Sequence, residues 1–338
     1  MNSTESSEPC VASVTRTSPL RVGLIGAGSM GSLHARVAAT SELTELAWIA
    51  EPDRARGEHL ADRFSTRWIP EAELHDVDAI IVAAPTQVHH AIAVAVIEAR
   101  LPLLLEKPLA DTLAHSAELV DLARRRGSVL MCGLLERFNP AVRTACEIAR
   151  APLHVSSVRH SPYAERIRTG VAGDLLIHDV DLVLRLMGEM PSAVSCQFGH
   201  FEARSEAESE DVADAMLRFS GGQIASLSAS RIAQRKVRSL TISELGRVIE
   251  VDLLRQDITV YRHVQGNEFD EDAGYSQQTI IDIPVVRYLG EPLQLQLQRF
   301  ASLIDGTVDA GAELDGILAP HVVIDSLHRQ ARERDGAT

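Results

Sequence analysis

Long apolar runs are missing from this chain of 338 residues. No stretch approaches the roughly 20 apolar residues that a membrane-spanning helix needs, so no membrane partner is expected. The segment Met1 to Ser18 is rich in Ser, Thr and Glu and has no apolar centre. It reads as a loose tail over 1–19 rather than a secretory signal. Positive charge is in deficit too, since 33 Lys and Arg face 47 Asp and Glu, a formal charge of −14. Such a surface repels nucleic acid and anionic membranes at long range. No nucleic-acid partner is expected, and any phosphate-bearing ligand must be gripped by local donors. The cysteines Cys10, Cys132, Cys146 and Cys196 form no CxxC pair and lack a histidine at zinc spacing. The expectation is no metal, and reduced, mostly buried thiols in a cytoplasmic protein. Lysine is scarce as well: among 33 basic residues only Lys107 and Lys236 are lysines. Arginine does the routine surface work, and only lysine can change protonation state.

What is present falls into two textures. The length suits two domains. Residues 20–135 alternate short apolar runs with amphipathic stretches, predicting strands at 20–25, 43–50, 79–84, 101–105 and 129–135. Helices are predicted at about 29–39, 53–64, 88–100 and from Asp111 or Thr112 to Gly127. Continuous apolar strands alternating with helices imply a doubly wound parallel α/β sheet, covered on both faces. After Asn139 a helix at 141–149 and one at 175–187 are followed by strand-like runs as far as residue 283, then helices at 293–305 and 316–332. That is an α+β domain with a largely antiparallel sheet. The domains are expected at 20–137 and 138–338. The acidic stretch 202–211 reads as a solvated loop.

Gly26-Ala27-Gly28-Ser29-Met30-Gly31 fits GxGxxG, follows an apolar strand and opens a helix. In that context the first glycine permits a tight turn and the second lets backbone N–H groups approach a pyrophosphate. The third lets helix pack on strand, and the helix N-terminus faces the phosphates. Glu51 ends the second strand, where a carboxylate accepts from the ribose diol and repels a 2′-phosphate. NAD is therefore expected, with NADP open because Arg54 and Arg56 stand close by.

Ala84-Pro85-Thr86 ends a buried strand, with His89 three residues on, and Glu106-Lys107-Pro108 ends the next. Ligands of open α/β sheets bind at the carboxyl ends of strands, so Pro85, Thr86, His89, Glu106 and Lys107 join the cofactor candidates. Farther on, Asp174 and His178 are four residues apart and share a helix face.

Together these marks resemble the glucose–fructose oxidoreductase, inositol dehydrogenase and rhizopine-catabolism (Gfo/Idh/MocA) family. The marks are the glycine motif with His34, Pro85-Thr86 with His89, Glu106-Lys107-Pro108, and Asp174-xxx-His178. Gln87 departs from the Asn or Ser common there. The resemblance implies a Rossmann domain followed by an open-faced sheet domain, often a homodimer or homotetramer. It also implies hydride transfer at a sugar or cyclitol carbon, with Lys107 and His178 catalytic and Asp174 their companion. Segments 136–142 and 175–181 are similar to the branch that contains UDP-N-acetylglucosamine 3-dehydrogenases. That branch implies oxidation of C3 in a nucleotide-linked amino sugar, with Arg137, Asn139, Arg166, Arg168, Asp174 and His178 on the substrate side. Arg231, Arg235, Lys236 and Arg238 are further candidates for a diphosphate, since arginine grips phosphate bidentately. In such a reaction His178 would act as base, titrating near neutrality, and Lys107 would stabilise the oxyanion. Asp174 would favour the imidazolium. The sequence leaves open which of Lys107 and His178 moves the proton. Free amino sugars and inositols remain alternative substrates. An NAD-dependent glycosidase and a dinucleotide or sugar sensor are alternative functions on the same fold.

Overall fold

A computed structural model describes residues 18–165, 169–206, 209–265, 277–286 and 290–335. The chain divides into two compact units that interleave in sequence. The first takes 1–105, 119–131 and 296–315; the second takes 106–118, 132–295 and 316–338.

The first unit is built around strands β1 (Leu20–Ile25), β2 (Thr44–Ala50), β3 (Arg67–Ile69), β4 (Ala79–Val82), β5 (Leu103–Leu105) and β6 (Leu130–Cys132). Helices α1 (Ser29–Thr40), α2 (Arg54–Arg63), α3 (Thr86–Glu98) and α4 (Leu113–Arg126) alternate with them. The sheet order is β3-β2-β1-β4-β5-β6, and the β1–β2, β1–β4, β2–β3 and β4–β5 pairs are parallel. Strands buried on both faces must be apolar throughout, and Ile80, Ile81, Val82 and Leu103 to Leu105 are all at most 1% exposed. The order reverses between β1 and β4, which puts the ligand crevice of such a sheet beyond their carboxyl ends. The doubly wound fold read from the sequence is the one observed. β3 went unread because three residues, one of them charged, carry no periodic signal.

The second unit holds α5 (Pro140–Ile148), β7 (His154–His160), a five-residue π-turn (Ala172–Leu176) that runs straight into α6 (Ile177–Met187), and seven further strands. These are β8 (Ala193–Gly199), β9 (Val212–Arg218), β10 (Ile224–Ser230), β11 (Val237–Glu244), β12 (Arg247–Asp252), β13 (Asp257–Gln265) and β14 (Gln277–Asp282). The chain ends with α7 (Pro292–Ile304), α8 (Ala310–Asp315) and α9 (Leu318–Asp335). The eight-stranded order is β14-β13-β12-β11-β7-β10-β9-β8, antiparallel except for the parallel β7–β10 pair. Alternate residues of β7 (Val155, Ser157, Arg159) are buried while His154, Ser156, Val158 and His160 are half-exposed. One face is thus covered, by α5 and α6 among others, and the other is open. A 3-10 turn (Leu135–Phe138) precedes α5, and Asn139 caps that helix by accepting from the Ala141 N–H at 3.1 Å. Cys132 and Cys196 are buried cysteines outside any disulfide, and Cys146 is half-buried; Cys10 lies outside the described residues. Among the described residues no helix is long and apolar enough to cross a membrane.

Candidate active site

In the first unit the glycine turn behaves as its motif requires. Gly26 has φ +100°, and a Cβ there would lie 2.6 Å from the Ala83 carbonyl oxygen. A Cβ on Gly31 would run into the Gly26 carbonyl, so helix and turn touch only because both are bare. At Gly28 the situation is opposite: apart from its chain neighbours and its own helix, none of the described residues has an atom within 4 Å of a Cβ position. What glycine preserves there is room for something outside the protein. Gly28 is also the N-cap of α1 and makes no side-chain cap. The first-turn N–H groups, with exposed Ser29 and half-buried Met30 beside them, are left for an anion.

Glu51 is 7% exposed and its two oxygens accept from the Ala27 N–H at 2.9 Å and the Asp53 N–H at 3.1 Å. A carboxylate has about four lone-pair sites, so two remain for a diol. Arg54 and Arg56, the two residues that suit a 2′-phosphate, are engaged with Glu58 at 2.9 Å and Asp53 at 3.0 Å. Across the switch point, Pro85 is exposed and Thr86 opens α3. His89 is 1% exposed and its Nε2 lies 2.9 Å from the Ala84 carbonyl oxygen, so it braces that turn from behind. His34 is likewise buried, at 3% exposure. These residues fit a dinucleotide: a bare turn, an open helix N-terminus and a carboxylate at the end of β2.

The second unit assembles the chemistry. Glu106 is buried against Gly133, where a Cβ would lie 2.7 Å from its carboxylate. Its carboxylate accepts from the Lys107 N–H at 3.3 Å. The Lys107–Pro108 peptide is cis. Lys107 Nζ donates to the Asp174 carboxylate Oδ1 and to the Asp174 backbone oxygen, both at 2.6 Å. Of the two residues that Asp174 is expected to accompany, its carboxylate holds Lys107. Nothing among the described residues hydrogen-bonds His178 Nδ1, which is buried without a partner. Burial, then the charges of Lys107, Arg159 and Arg238, hold the His178 imidazole well below its usual pKa of 6.5. Two expectations are thereby corrected. His178 does not titrate near neutrality, and no imidazolium is favoured beside Asp174; burial first, and then the neighbouring cations, select the neutral ring.

Beneath this pair lies a network that the sequence reading missed. Arg159 is fully buried, with Nε and Nη2 on the Asp179 carboxylate at 2.7 and 2.9 Å and Nη1 on Glu136 at 2.7 Å. Ser157 Oγ donates to Asp179 at 2.9 Å. The signal was available: in the alternation of β7, an arginine sits at an inward position and must find carboxylates. Of the residues expected on the substrate side, Arg137 has its side chain 7% exposed, in a bidentate pair with Asp181 at 2.7 and 2.8 Å, and it also reaches the Gly316 carbonyl oxygen. Asn139 is 2% exposed and donates to the Leu253 carbonyl at 3.0 Å. Both are held by the framework. Arg231 is buried and donates to the Thr169 carbonyl, which withdraws it from the phosphate candidates. Arg235 and Lys236 are exposed, and Arg238 is 22% exposed, 3.9 Å from Glu136. Arg166 and Arg168 lie outside the described residues.

Comparison with known proteins gives this arrangement its context. Residues 20–134 match the oxidoreductase family with an NAD-binding Rossmann fold, and residues 148–248 match the Gfo/Idh/MocA C-terminal domain. The chain belongs to the Gfo/Idh/MocA family. The UDP-N-acetylglucosamine 3-dehydrogenase of Acidithiobacillus ferrooxidans is 30% identical over 251 residues, 73% of this chain and 78% of that protein. Its solved structure superposes with a TM-score of 0.77 at 26% identity, covering 93% of this chain and 99% of that one. Inositol 2-dehydrogenase 2 of Paenarthrobacter aurescens is 30% identical over 338 residues, 92% of this chain and 96% of that protein. As a Gfo/Idh/MocA member the protein is a dehydrogenase acting on CH–OH groups with NAD as cofactor.

Proposed function

We propose that the protein oxidises a ring hydroxyl of a sugar, most specifically the C3 hydroxyl of a nucleotide-linked amino sugar. Lys107, Asp174 and His178 carry the reaction. Bound NAD supplies the hydride acceptor. Lys107, fixed by two 2.6 Å contacts to Asp174, presents a cation to the oxygen on which negative charge develops. His178, half-exposed and with its ring held neutral, accepts the hydroxyl proton. Gly26, Gly28, Ser29, Met30, Gly31, Glu51, Pro85, Thr86, His89 and Glu106 form or brace the dinucleotide cradle. The observation that carries this reading is the Lys107–Asp174 clamp, since a lysine in a chain that otherwise uses arginine is fixed where an ammonium is needed.

The nucleotide-sugar assignment is supported by the likeness to the Acidithiobacillus enzyme and by exposed Arg235 and Lys236, which suit a diphosphate. Arg166 and Arg168 belong to the same proposal. A second reading, an inositol dehydrogenase, has its own support in the likeness that runs over 92% of this chain. NADH absorbance with UDP-N-acetylglucosamine, free amino sugars and inositols decides between them. UDP is expected to inhibit competitively. Good turnover of inositol with no inhibition by UDP would remove the nucleotide-sugar reading and leave the dehydrogenase. The open face of the second sheet suits assembly as a homodimer or homotetramer, which light scattering measures directly.

A further inference from the structure

Asp174 belongs to the π-turn, whose hydrogen bonds span one residue more than those of an α-helix. An α-helical path through the same residues, with fewer residues per turn, would rotate Asp174 about the axis. Something must hold the turn's entry in place. The chain entering it, Thr169 to Ala172, is gripped by residues from the end of the acidic stretch. Glu210 is 2% exposed. Its Oε1 accepts from the Ala172 N–H at 2.7 Å, and its backbone carbonyl accepts from the Val171 N–H at 3.0 Å. Gly170 lies so close that a Cβ there would collide with the Glu210 carboxylate. The Gly170 carbonyl in turn accepts from the Asp174 N–H at 3.0 Å. From the other side, Arg231 donates to the Thr169 carbonyl, and its own N–H donates to the Asp211 carbonyl at 2.9 Å. Three links therefore join Glu210 to Asp174: carboxylate to Ala172, carboxylate against Gly170, and Gly170 to Asp174.

We propose that Glu210 is a positioning residue: its buried carboxylate clamps the entry of the π-turn and thereby sets the Lys107–Asp174 contact. This rests on the dehydrogenase reading above. A hydrogen bond to a charged acceptor is roughly twice as strong as a neutral one, which suits a clamp on a turn with a competing geometry. Glutamine keeps an oxygen for the Ala172 N–H, whereas alanine leaves that N–H unpaired and opens a void at Gly170.

The test uses the full-length protein and two readouts. The first is kcat and KM with NAD and either UDP-N-acetylglucosamine or inositol, whichever turns over. The second needs no substrate: the rate at which an amine-reactive acyl ester labels Lys107, located by peptide mass spectrometry, with Lys236 as internal reference. Glu210→Ala is expected to lower kcat by about 10- to 100-fold with KM changed less than about twofold, as loss of alignment rather than of binding demands. Lys107 labelling should rise by about threefold or more as its clamp loosens. Glu210→Gln should restore most of both. If Glu210→Ala does not fold, Glu210→Asp, one methylene short of Ala172, is read in the same way. Parental kcat and parental Lys107 labelling in the alanine or aspartate variant would overturn the proposal and leave Glu210 a stabiliser of the fold. Parental turnover in Lys107→Ala would instead sink the catalytic assignment of Lys107, with the labelling of the Glu210 variants still reporting on the clamp.

Discussion

Lys107 sits against a carboxylate and His178 sits among cations, and this contrast governs what single substitutions do. Replacing either by alanine should lower turnover by a factor on the order of a hundred or more, while NAD binding measured by fluorescence quenching persists. Lys107→Arg should fail as well, because a planar guanidinium cannot occupy a pocket where one nitrogen meets both Asp174 oxygens at 2.6 Å. The depressed pKa of His178 fixes a sign. The neutral base is present at neutrality and is lost only as pH falls through a value well below 6.5. The acid limb of kcat/KM should therefore bend below 6.5, and a bend above it would remove His178 as the base. For the cofactor, Glu51 should make NADP bind more weakly than NAD, with Arg54 and Arg56 already engaged. Equal affinity in a titration of both would take that role from Glu51. The glycine turn was legible because Gly26 to Gly31 are contiguous and their strand-to-helix context is local. The sequence reading assigns Asp174 to Lys107 and His178 alike and cannot tell which of them it holds, because Lys107 is 67 residues away and pairing over such a separation leaves no periodic trace.

Elements were legible where periodicity runs long. β1 has the expected bounds, and α6 ends where expected. The stretch 202–211 was read as a solvated acidic loop, yet Glu210 and Asp211 are 2% and 1% exposed. Charge counts do not reveal which carboxylates meet buried N–H groups, and Asp211 Oδ2 accepts from the Phe201 and Glu202 N–H groups at 2.7 and 2.8 Å. The helix α9 carries a further such tie. His321 Nδ1 lies 2.8 Å from the Ile317 carbonyl oxygen and its Nε2 accepts from the Leu109 N–H at 3.0 Å, so the ring must be neutral. Burial lowers its pKa from 6.5 to about 4. Between those values the unfolded chain binds a proton that the folded one refuses, so stability falls as pH drops from 6.5 towards 4. The loss is on the order of 3 kcal/mol across that window. Urea midpoints should decline between about pH 7 and about pH 4.5, and His321→Gln, which can make both bonds without titrating, should flatten part of that slope. An unchanged slope in the variant would show that other groups govern the acid limb.

At the scale of the whole molecule, the formal charge of −14 distinguishes the two substrate classes without reference to any one residue. A UDP-sugar brings a diphosphate towards a surface of the same sign; an inositol brings no charge. At about 0.01 M ionic strength the Debye length is about 30 Å, and the repulsion is felt across the protein. At about 0.15 M it is about 8 Å, and only donors close to the ligand act. With NAD saturating, kcat/KM for a nucleotide sugar should rise a few-fold between those two conditions, because screening removes the long-range penalty before it weakens buried contacts. At higher salt it should decline as exposed Arg235 and Lys236 are screened in turn. For an inositol the same series should be flat. The comparison is made with one enzyme preparation and two substrates, so an effect of salt on folding or on NAD would appear in both. A steady fall from the lowest salt would mean that a local cationic patch, and not the net charge, governs capture of the diphosphate. Alanine substitution of Arg235 and Lys236 together would then abolish the salt dependence, and persistence of the slope in that double variant would exclude those two residues.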